Sequence, residues 1–314
     1  MLTCKSPRKV MLVAFHLAKG CLPRHRSKFS RKDFTLPQLF ACLVVREHQN
    51  RSYRGVEALL RDCRHWCKQI GMRRVPDHNT LCRAARTLRG ESHIDRLLDR
   101  VARWAALSKI LGITCAIDST VYDTHHHSRH YEQRCRRFAS RCEKTSNSRR
   151  SRSAKRSPKL SVSVDTASHL ILAAQARTGM GSDAPDFLPL LRATQRRCPR
   201  LRTVLADAGF DSHENHRIAR TRLKVHTLIK MGCGRPTAKP PASWYRRAMR
   251  KKLSGSQKGK PYARRAQVET VNSMMKRNLG DHLRARTPEG RRAEQMLRVI
   301  THNISLLLGD QDEG

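Results

Sequence analysis

Apolar residues recur at helical spacing through the first third of the chain and alternate with polar ones from about residue 113 onward. Val10 to Ala18 reads as a first helix, Leu36 to Glu47 as an apolar-rich second, and Tyr53 to Trp66 as a third carrying Val56, Leu59, Leu60 and Cys63 at helical spacing. Asp77 to Leu88 follows Val75-Pro76 with Leu81 and Ala84-Ala85 inward, and Ser92 to Leu111 closes the region. Residues 1–110 are therefore expected to be all-helical.

Beyond that point the period shortens. Ile113 to Tyr122 reads as a strand, and Lys159 to Thr166, where Leu160, Val162 and Val164 alternate with serines, pairs with Leu170 to Arg177 as a hairpin around Ala167-Ser168. A helix over Asp186 to Arg197, a strand over Arg202 to Ala206, a helix over His213 to Arg222 and a strand over Val225 to Lys230 follow, which predicts an α/β unit over 111–314. In the stretch from Pro261 to Lys276 the helical period returns. Tyr262, Arg265, Glu269, Asn272, Ser273 and Lys276 fall on one face, while Val268, Val271, Met275 and Leu279 form an apolar stripe. Pro261 suits the first turn and Gly280 the stop, so one helix of about five turns is expected.

Charge narrows the partners. The 314 residues carry 65 Lys and Arg against 25 Asp and Glu, a net charge of +40, which points to a polyanion and first of all to nucleic acid. No apolar run approaches the ~20 residues of a spanning helix, and His16 with the lack of a small-x-small site argues against a secretory leader at Val10 to Ala18. Eleven cysteines, odd in number and without repeating spacing, imply free thiols in a reducing compartment, hence the cytoplasm. Cys63 and Cys67 lack a second pair of ligands for a closed zinc site.

The basic residues are not evenly spread. Residues 134–159 are dense in Arg, Lys and Ser, and Arg149, Arg150, Arg152, Lys155 and Arg156 read as an arm lying along phosphates, with a solvated loop as the alternative. A second basic stretch, 232–260, reads as a short linker in which Trp244 and Tyr245 are candidates for stacking on an unpaired base, core packing being the favoured fate of Trp244. In the helical region, Asn79 to Arg86 fits a DNA-reading helix presenting Thr80, Arg83 and Arg86, against a plain bundle with solvated arginines.

Two apolar runs end in an acid followed by small residues: Ile113 to Ile117 before Asp118, and Thr203 to Ala206 before Asp207. Taken singly, each acid reads as readily as a turn or strand-end cap, and Glu269 as a surface ion pair with Arg265 and Lys276. Their combination is more specific. Tyr262, Arg265, Glu269 and Lys276, at gaps of 3, 4 and 7 (265−262, 269−265, 276−269), together with Asp118 in Asp-Ser-Thr and Asp207 in Ala-Asp-Ala-Gly-Phe-Asp, resemble the bacterial insertion-sequence transposases of the DDE class with the Tyr-Arg-Glu-Lys signature.

That resemblance, running from about Leu36 to Leu308, implies an RNase H-like mixed-sheet catalytic domain behind a helical, DNA-binding N-terminal region. It implies that Asp118, Asp207 and Glu269 are catalytic and hold two divalent cations, Mg²⁺ or Mn²⁺, while Tyr262, Arg265 and Lys276 contact DNA. It further implies double-stranded DNA as partner (element ends and target), a homodimer in the synaptic complex, and a cytoplasmic, nucleoid-associated location. Asp183, in Gly-Ser-Asp-Ala-Pro, resembles a recurring family position that orients the site from behind. Asp123, Asp165, Asp186 and Asp211 read as caps or turns. His125-His126-His127 with His130 suits phosphate contact better than metal, since consecutive side chains diverge.

Two other readings remain open at this level: a catalytically inactive nucleic-acid-binding protein or repressor derived from a transposase, and a nuclease that cuts without joining. Retention of all three acids favours the enzyme. With the arm engaged, neutralisation of roughly 6 to 10 phosphates predicts an affinity loss of about 10³ to 10⁵ between low and moderate salt. Deleting residues 149–156 is expected to flatten the plot of log K against log salt, and an unchanged slope makes the arm a bystander.

Overall fold

The computed structural model describes residues 3–25, 27–29, 32–88, 91–124, 157–179, 181–231, 242–254 and 260–309. Arg149, Arg150, Arg152, Lys155 and Arg156 lie outside the described residues, as do His125, His126, His127 and His130.

Six helices come first: α1 (Pro7–Lys19), α2 (Leu36–His48), α3 (Tyr53–Asp62), α4 (Arg64–Gln69), α5 (His78–Thr87) and α6 (Glu91–Leu107). The starts of α1, α2, α3 and α5 are written into the chain as Ser6, Thr35, Ser52 and Asp77, whose side chains accept the orphan backbone N–H three residues on. Thr35 and Gln38 close a reciprocal capping box. The helix expected over Tyr53 to Trp66 is two, because Cys63 leaves the helical region of backbone space (φ −105°, ψ 44°) and joins α3 to α4 at an angle. The Cys67 thiol is buried and pushed up to about 11 by that burial.

Strands β1 (Thr114–Val121), β3 (Lys159–Asp165), β4 (Ile171–Arg177), β5 (Thr203–Ala206) and β6 (His226–Ile229) form one mixed sheet in the order β4-β3-β1-β5-β6. The pairs β4/β3 and β3/β1 are antiparallel, and β1/β5 and β5/β6 parallel. The parallel pairs are connected through α7 (Ala184–Arg197) and α8 (His213–Thr221). Asp165 closes the hairpin by accepting from the Ser168 amide and hydroxyl (2.8 and 2.7 Å), the turn role its position predicts.

Strand alternation divides the core. Cys115, Ile117, Val204 and Ala206 pack toward Phe187, Leu190 and Ala219 of α7 and α8. Ala116, Leu160, Val162 and Leu205 belong to a second cluster that continues through Met11, Phe40, Val44 and Val271 to Ile300 and Ile304. The helical layer of α1 and α2 thus shares one apolar core with this face of the sheet.

Beyond β6 the described residues hold four helical segments and one short strand. The segment expected as linker contains a helix, α9 (Trp244–Ser254), followed by a single turn, α10 (Lys260–Ala263), and by α11 (Ala266–Leu279). Trp244 is 63% exposed, against the expectation of core packing. Tyr245 takes the inward position instead, its ring stacked on His216 at 6.3 Å, and the residue one helical step earlier is turned outward. A short parallel pair then joins β2 (Asp123–Thr124) to β7 (His282–Leu283) before the long helix α12 (Pro288–Gly309).

Helix α12 is buried almost all round over its second half, so polar side chains are enclosed alongside Leu297, Ile300 and Ile304 and blur any one-sided stripe. Glu294, Gln295, Arg298, Thr301, His302, Asn303 and Ser305 are all buried. Asn303 reaches the start of β4, accepting from the Ile171 amide and donating to its carbonyl at 2.9 Å each. Arg298, fully buried, donates to the carbonyls of Gly280 and His282 (2.6 Å each), pairs with Glu294 (3.0 Å), and lies 3.5 Å from Glu47 of α2. Glu47 is paired in turn with Arg46, and burial raises its carboxyl above the usual range.

Removing one member of such a network strands the others without solvent, a loss of about 3–5 kcal/mol. Arg298→Met is expected to destabilise by that order in urea unfolding, and adding Glu47→Gln is expected to recover part of it. Equal stability of wild type and Arg298→Met excludes the network as a structural tie.

Candidate active site

Asp118 and Asp207 lie side by side through sheet register. Ile117 pairs with Ala206 on the adjacent parallel strands β1 and β5, so the next residue along each strand is an acid at the same level of the sheet. Adjacent strands run about 4.8 Å apart. Alternation fixes the face: Asp118 shares parity with Ala116 and Asp207 with Leu205, both of which pack on the side covered by Val268 and Val271 of α11.

The turn after Asp207 is held from below. Phe210 is buried against Phe187 at 6.3 Å, and Asn215 of α8 donates to the Phe210 carbonyl (2.9 Å) and to that of Ala184 (3.0 Å). Asp211, expected as a turn residue, has a buried carboxylate 2.8 Å from Arg246 and 3.4 Å from His216, which fastens α9 to the turn. Asp186, expected as a cap, is fully buried between Arg177 and the Ser161 hydroxyl (2.8 Å from the latter).

Glu269 arrives from a helix that is not continuous. Instead of five unbroken turns, the chain makes α10, then bends through Arg264 and Arg265, where Arg265, Gln267 and Val268 donate to carbonyls three residues back rather than four. The Tyr262 hydroxyl donates to the Ala206 carbonyl at 3.2 Å, which fastens α10 to the end of β5 beside Asp207. Arg265 spans the bend and pairs with Glu269 at 2.5 Å, the arginine 21% exposed and the glutamate 54%.

The electrostatics tie these groups together. Burial pushes the Asp118 carboxyl up to about 6; the Ser119 amide and the Arg265 guanidinium oppose the rise, and the negative charges of Asp207 and Glu269 add to it. Arg265 is raised by Glu269 and Asp207 against the effect of burial. Tyr262 is raised, first by burial, with Asp207 and Glu269 contributing and Arg265 opposing. Asp118, Asp207, Glu269, Arg265 and Tyr262 therefore occupy one neighbourhood, although their sequence positions span 151 residues (269−118).

Lys276, two turns beyond Glu269, is half-buried with its ammonium 5.6 Å from the Tyr122 ring centre. Tyr122 is buried just past β1, and the Arg298 guanidinium lies 5.4 Å from the same ring. Helix α11 ends where Gly280 adopts φ +96°, a backbone region that side chains disfavour, and a Cβ there would meet the Asn50 side chain at 2.9 Å.

Asp183 lies on the other side of the sheet edge. It precedes α7 without capping it; its carboxylate accepts from the Ser119 hydroxyl and pairs with Lys159. A Cβ on Gly209 would come within 2.7 Å of that carboxylate, so the turn following Asp207 needs glycine to lie against it. Asp183 thus touches the neighbours of both Asp118 and Asp207 rather than their carboxylates. Tyr122, Asn215 and Arg298, which hold this arrangement, carry no motif that singles them out in the sequence.

Among the described residues, no three His, Cys, Asp or Glu side chains are gathered closely enough to enclose a metal ion. The donor set nonetheless fits a hard divalent cation: carboxylate oxygens alone, two of them from adjacent strand ends, with Asp118 held in a state of unfavourable negative charge that a cation relieves.

Three acids from separate segments, Asp118 on β1, Asp207 just past β5 and Glu269 on α11, thus share one neighbourhood in a strongly basic chain. The chain belongs to the transposase DDE domain family, whose model matches residues 111–304, 194 of the 314 residues. Membership carries transposase function and implies DNA as partner. Comparison with curated proteins finds no match. Among the described residues no helix is long and apolar enough to cross a membrane.

The Asp118 shift has a measurable consequence in metal-free buffer. Because its folded-state pKa of about 6 exceeds the ordinary ~3.9, the folded protein binds this proton more tightly than the unfolded chain, so its contribution is fully present below about pH 4 and is lost as pH rises to about 6. Asp118→Asn is expected to gain about 1–3 kcal/mol over wild type between those limits and to hold the gain above them. A stability difference that is flat with pH from 4 to 7 contradicts this environment for Asp118.

Proposed function

We propose that this chain cuts the ends of an insertion sequence and joins them to target DNA by phosphodiester transfer, with Asp118, Asp207 and Glu269 as the catalytic acids of an RNase H-like unit. The observation that carries the proposal is the electrostatic neighbourhood of these three acids on one face of the sheet's central strands, reached from three separate segments. The sheet order β4-β3-β1-β5-β6, antiparallel then parallel, supports the RNase H-like assignment.

Asp118, Asp207 and Glu269 would hold two divalent cations, Mg²⁺ or Mn²⁺. When bound, such ions neutralise charge on the attacking and leaving oxygens of an in-line displacement. The chain's own residues do the rest. Tyr262 fixes α10 to β5 and so sets the distance between Asp207 and Glu269. Arg265 keeps donors beyond the one engaged by Glu269, which suit a phosphate oxygen. Lys276 holds a phosphate further along the same helix, and Asp183 positions the two strand ends through Ser119 and Gly209.

Cutting adds water across the phosphodiester and leaves a 3′-hydroxyl and a 5′-phosphate. Joining lets that hydroxyl attack a target phosphorus and expel the target's 3′-oxygen, so bond number is conserved. The Tyr-Arg-Glu-Lys signature supports a bacterial insertion-sequence origin with a homodimer pairing the two ends, a nucleoid-associated cytoplasmic location, and the helical region over 1–110 as a DNA-binding part.

Asp118→Ala, Asp207→Ala and Glu269→Ala are each expected to abolish Mg²⁺- or Mn²⁺-dependent cleavage of end DNA while leaving its mobility shift nearly intact. Near-wild-type cleavage by any one removes that residue from the set. Lys276→Ala is expected to lose about 1.5–3 kcal/mol of end positioning, roughly ten- to a hundredfold in cleavage rate, with metal affinity unchanged. A strong change in Mn²⁺ affinity, with normal cleavage at saturating metal, assigns Lys276 to the metal site instead.

A further inference from the structure

Arg265 is a cation set among acids. Its guanidinium donates to the Glu269 carboxylate at 2.5 Å. Burial pushes the Asp118 carboxyl up, and the field of Arg265 opposes that rise while Asp207 and Glu269 add to it. Burial also opposes the charge of Arg265 itself, yet Glu269 and Asp207 hold its pKa above the usual range. One guanidinium therefore answers the negative charge of all three acids.

The root of this side chain is fixed and its partner is not. The Arg265 amide donates to the Tyr262 carbonyl at 2.9 Å, and the Tyr262 hydroxyl donates at 3.2 Å to the carbonyl of Ala206, the residue before Asp207. The arginine side chain is 21% exposed, whereas Glu269, one turn along, is 54% exposed and has solvent to turn through. With Glu269 paired to Arg265, no three acids among the described residues are close enough to enclose a metal ion.

A divalent cation approaching Asp118 and Asp207 enters the field of the same guanidinium, and like charges repel strongly where water is partly excluded. The metal and the guanidinium compete for one carboxylate. An exposed pair one helical turn apart shifts an equilibrium by only about two- to fivefold, so Arg265 holds Glu269 loosely enough to be displaced.

We propose that Arg265 is an exchangeable counter-ion of the acid site: it neutralises Glu269 until a divalent cation reaches Asp118 and Asp207, and Glu269 then passes from the guanidinium to the metal. The inference rests on the reading of these three acids as metal ligands. It makes Arg265 a positioning residue for the third acid, a task distinct from holding phosphate.

Mn²⁺ alone is the probe. The full chain, without DNA, is titrated with Mn²⁺ and the free ion is followed by electron paramagnetic resonance, for wild type, Arg265→Met, Glu269→Gln and the double variant. Arg265→Met is expected to tighten Mn²⁺, and to do so about three- to fivefold more with Glu269 present than in the Glu269→Gln background. Arg265→Gln, a second neutral variant, is expected to show the same coupling. Equal gains in the two backgrounds mean that Arg265 acts by its charge alone; they overturn the exchange and leave the acids as metal ligands. Weaker Mn²⁺ binding by both Arg265 variants also overturns it, by making the arginine a support of the metal-bound site. Mn²⁺ affinity that neither Asp118→Asn nor Asp207→Asn lowers overturns the metal reading and the exchange with it.

Discussion

A buried guanidinium holds this protein together. Arg298 connects α12 to the carbonyls that end the Glu269 helix, to Glu294 on its own helix, and to Glu47 in the helical layer. Placing charge in the core is favourable only where every partner is in position, so the alignment of α2, α11 and α12 is set together. A second arginine plays the same part on the opposite side. Arg197 of α7 donates to Asp95 and Asp99 of α6 and to the Leu172 carbonyl, at 2.7 Å each, and so fastens the last N-terminal helix to the sheet.

Within that frame the acids are gathered by simple rules. Alternation puts Asp118 and Asp207 on one face, parallel pairing puts them at one level, and an apolar stripe of Val268, Val271 and Met275 brings α11 over them. Alternation and the helical stripe act within short stretches of chain and were visible in the sequence. The pairing that levels the two strands joins residues 89 positions apart (206−117), and the acids themselves stood out only through the combined family pattern. The strands, α7, α8 and most N-terminal helices were legible because a half-buried element writes its period into its residues.

What was not legible depends on partners distant in sequence. The bend at Arg264 and Arg265 exists because the Tyr262 hydroxyl reaches Ala206, a contact across 56 residues. Helix α12 is hard to read because Leu297, Ile300 and Ile304 share its buried surface with Arg298, Asn303 and other polar groups that find partners only in the folded state. Trp244 and Tyr245 are neighbours of similar size, and only the place already offered by His216 decides which one turns inward.

The Tyr122 ring has Lys276 at 5.6 Å and Arg298 at 5.4 Å, and Arg298 in turn reaches Glu47 of α2. Glu47 on the helical layer and Lys276 on the Glu269 helix are thus three contacts apart. In genetic terms, and on the proposed role of the acids, a screen for inactive alleles would recover changes in α2 and α12 alongside those in the acids, and the two groups would separate only by temperature. Cooling restores a protein that has lost its internal alignment; it does nothing for one that has lost a carboxylate.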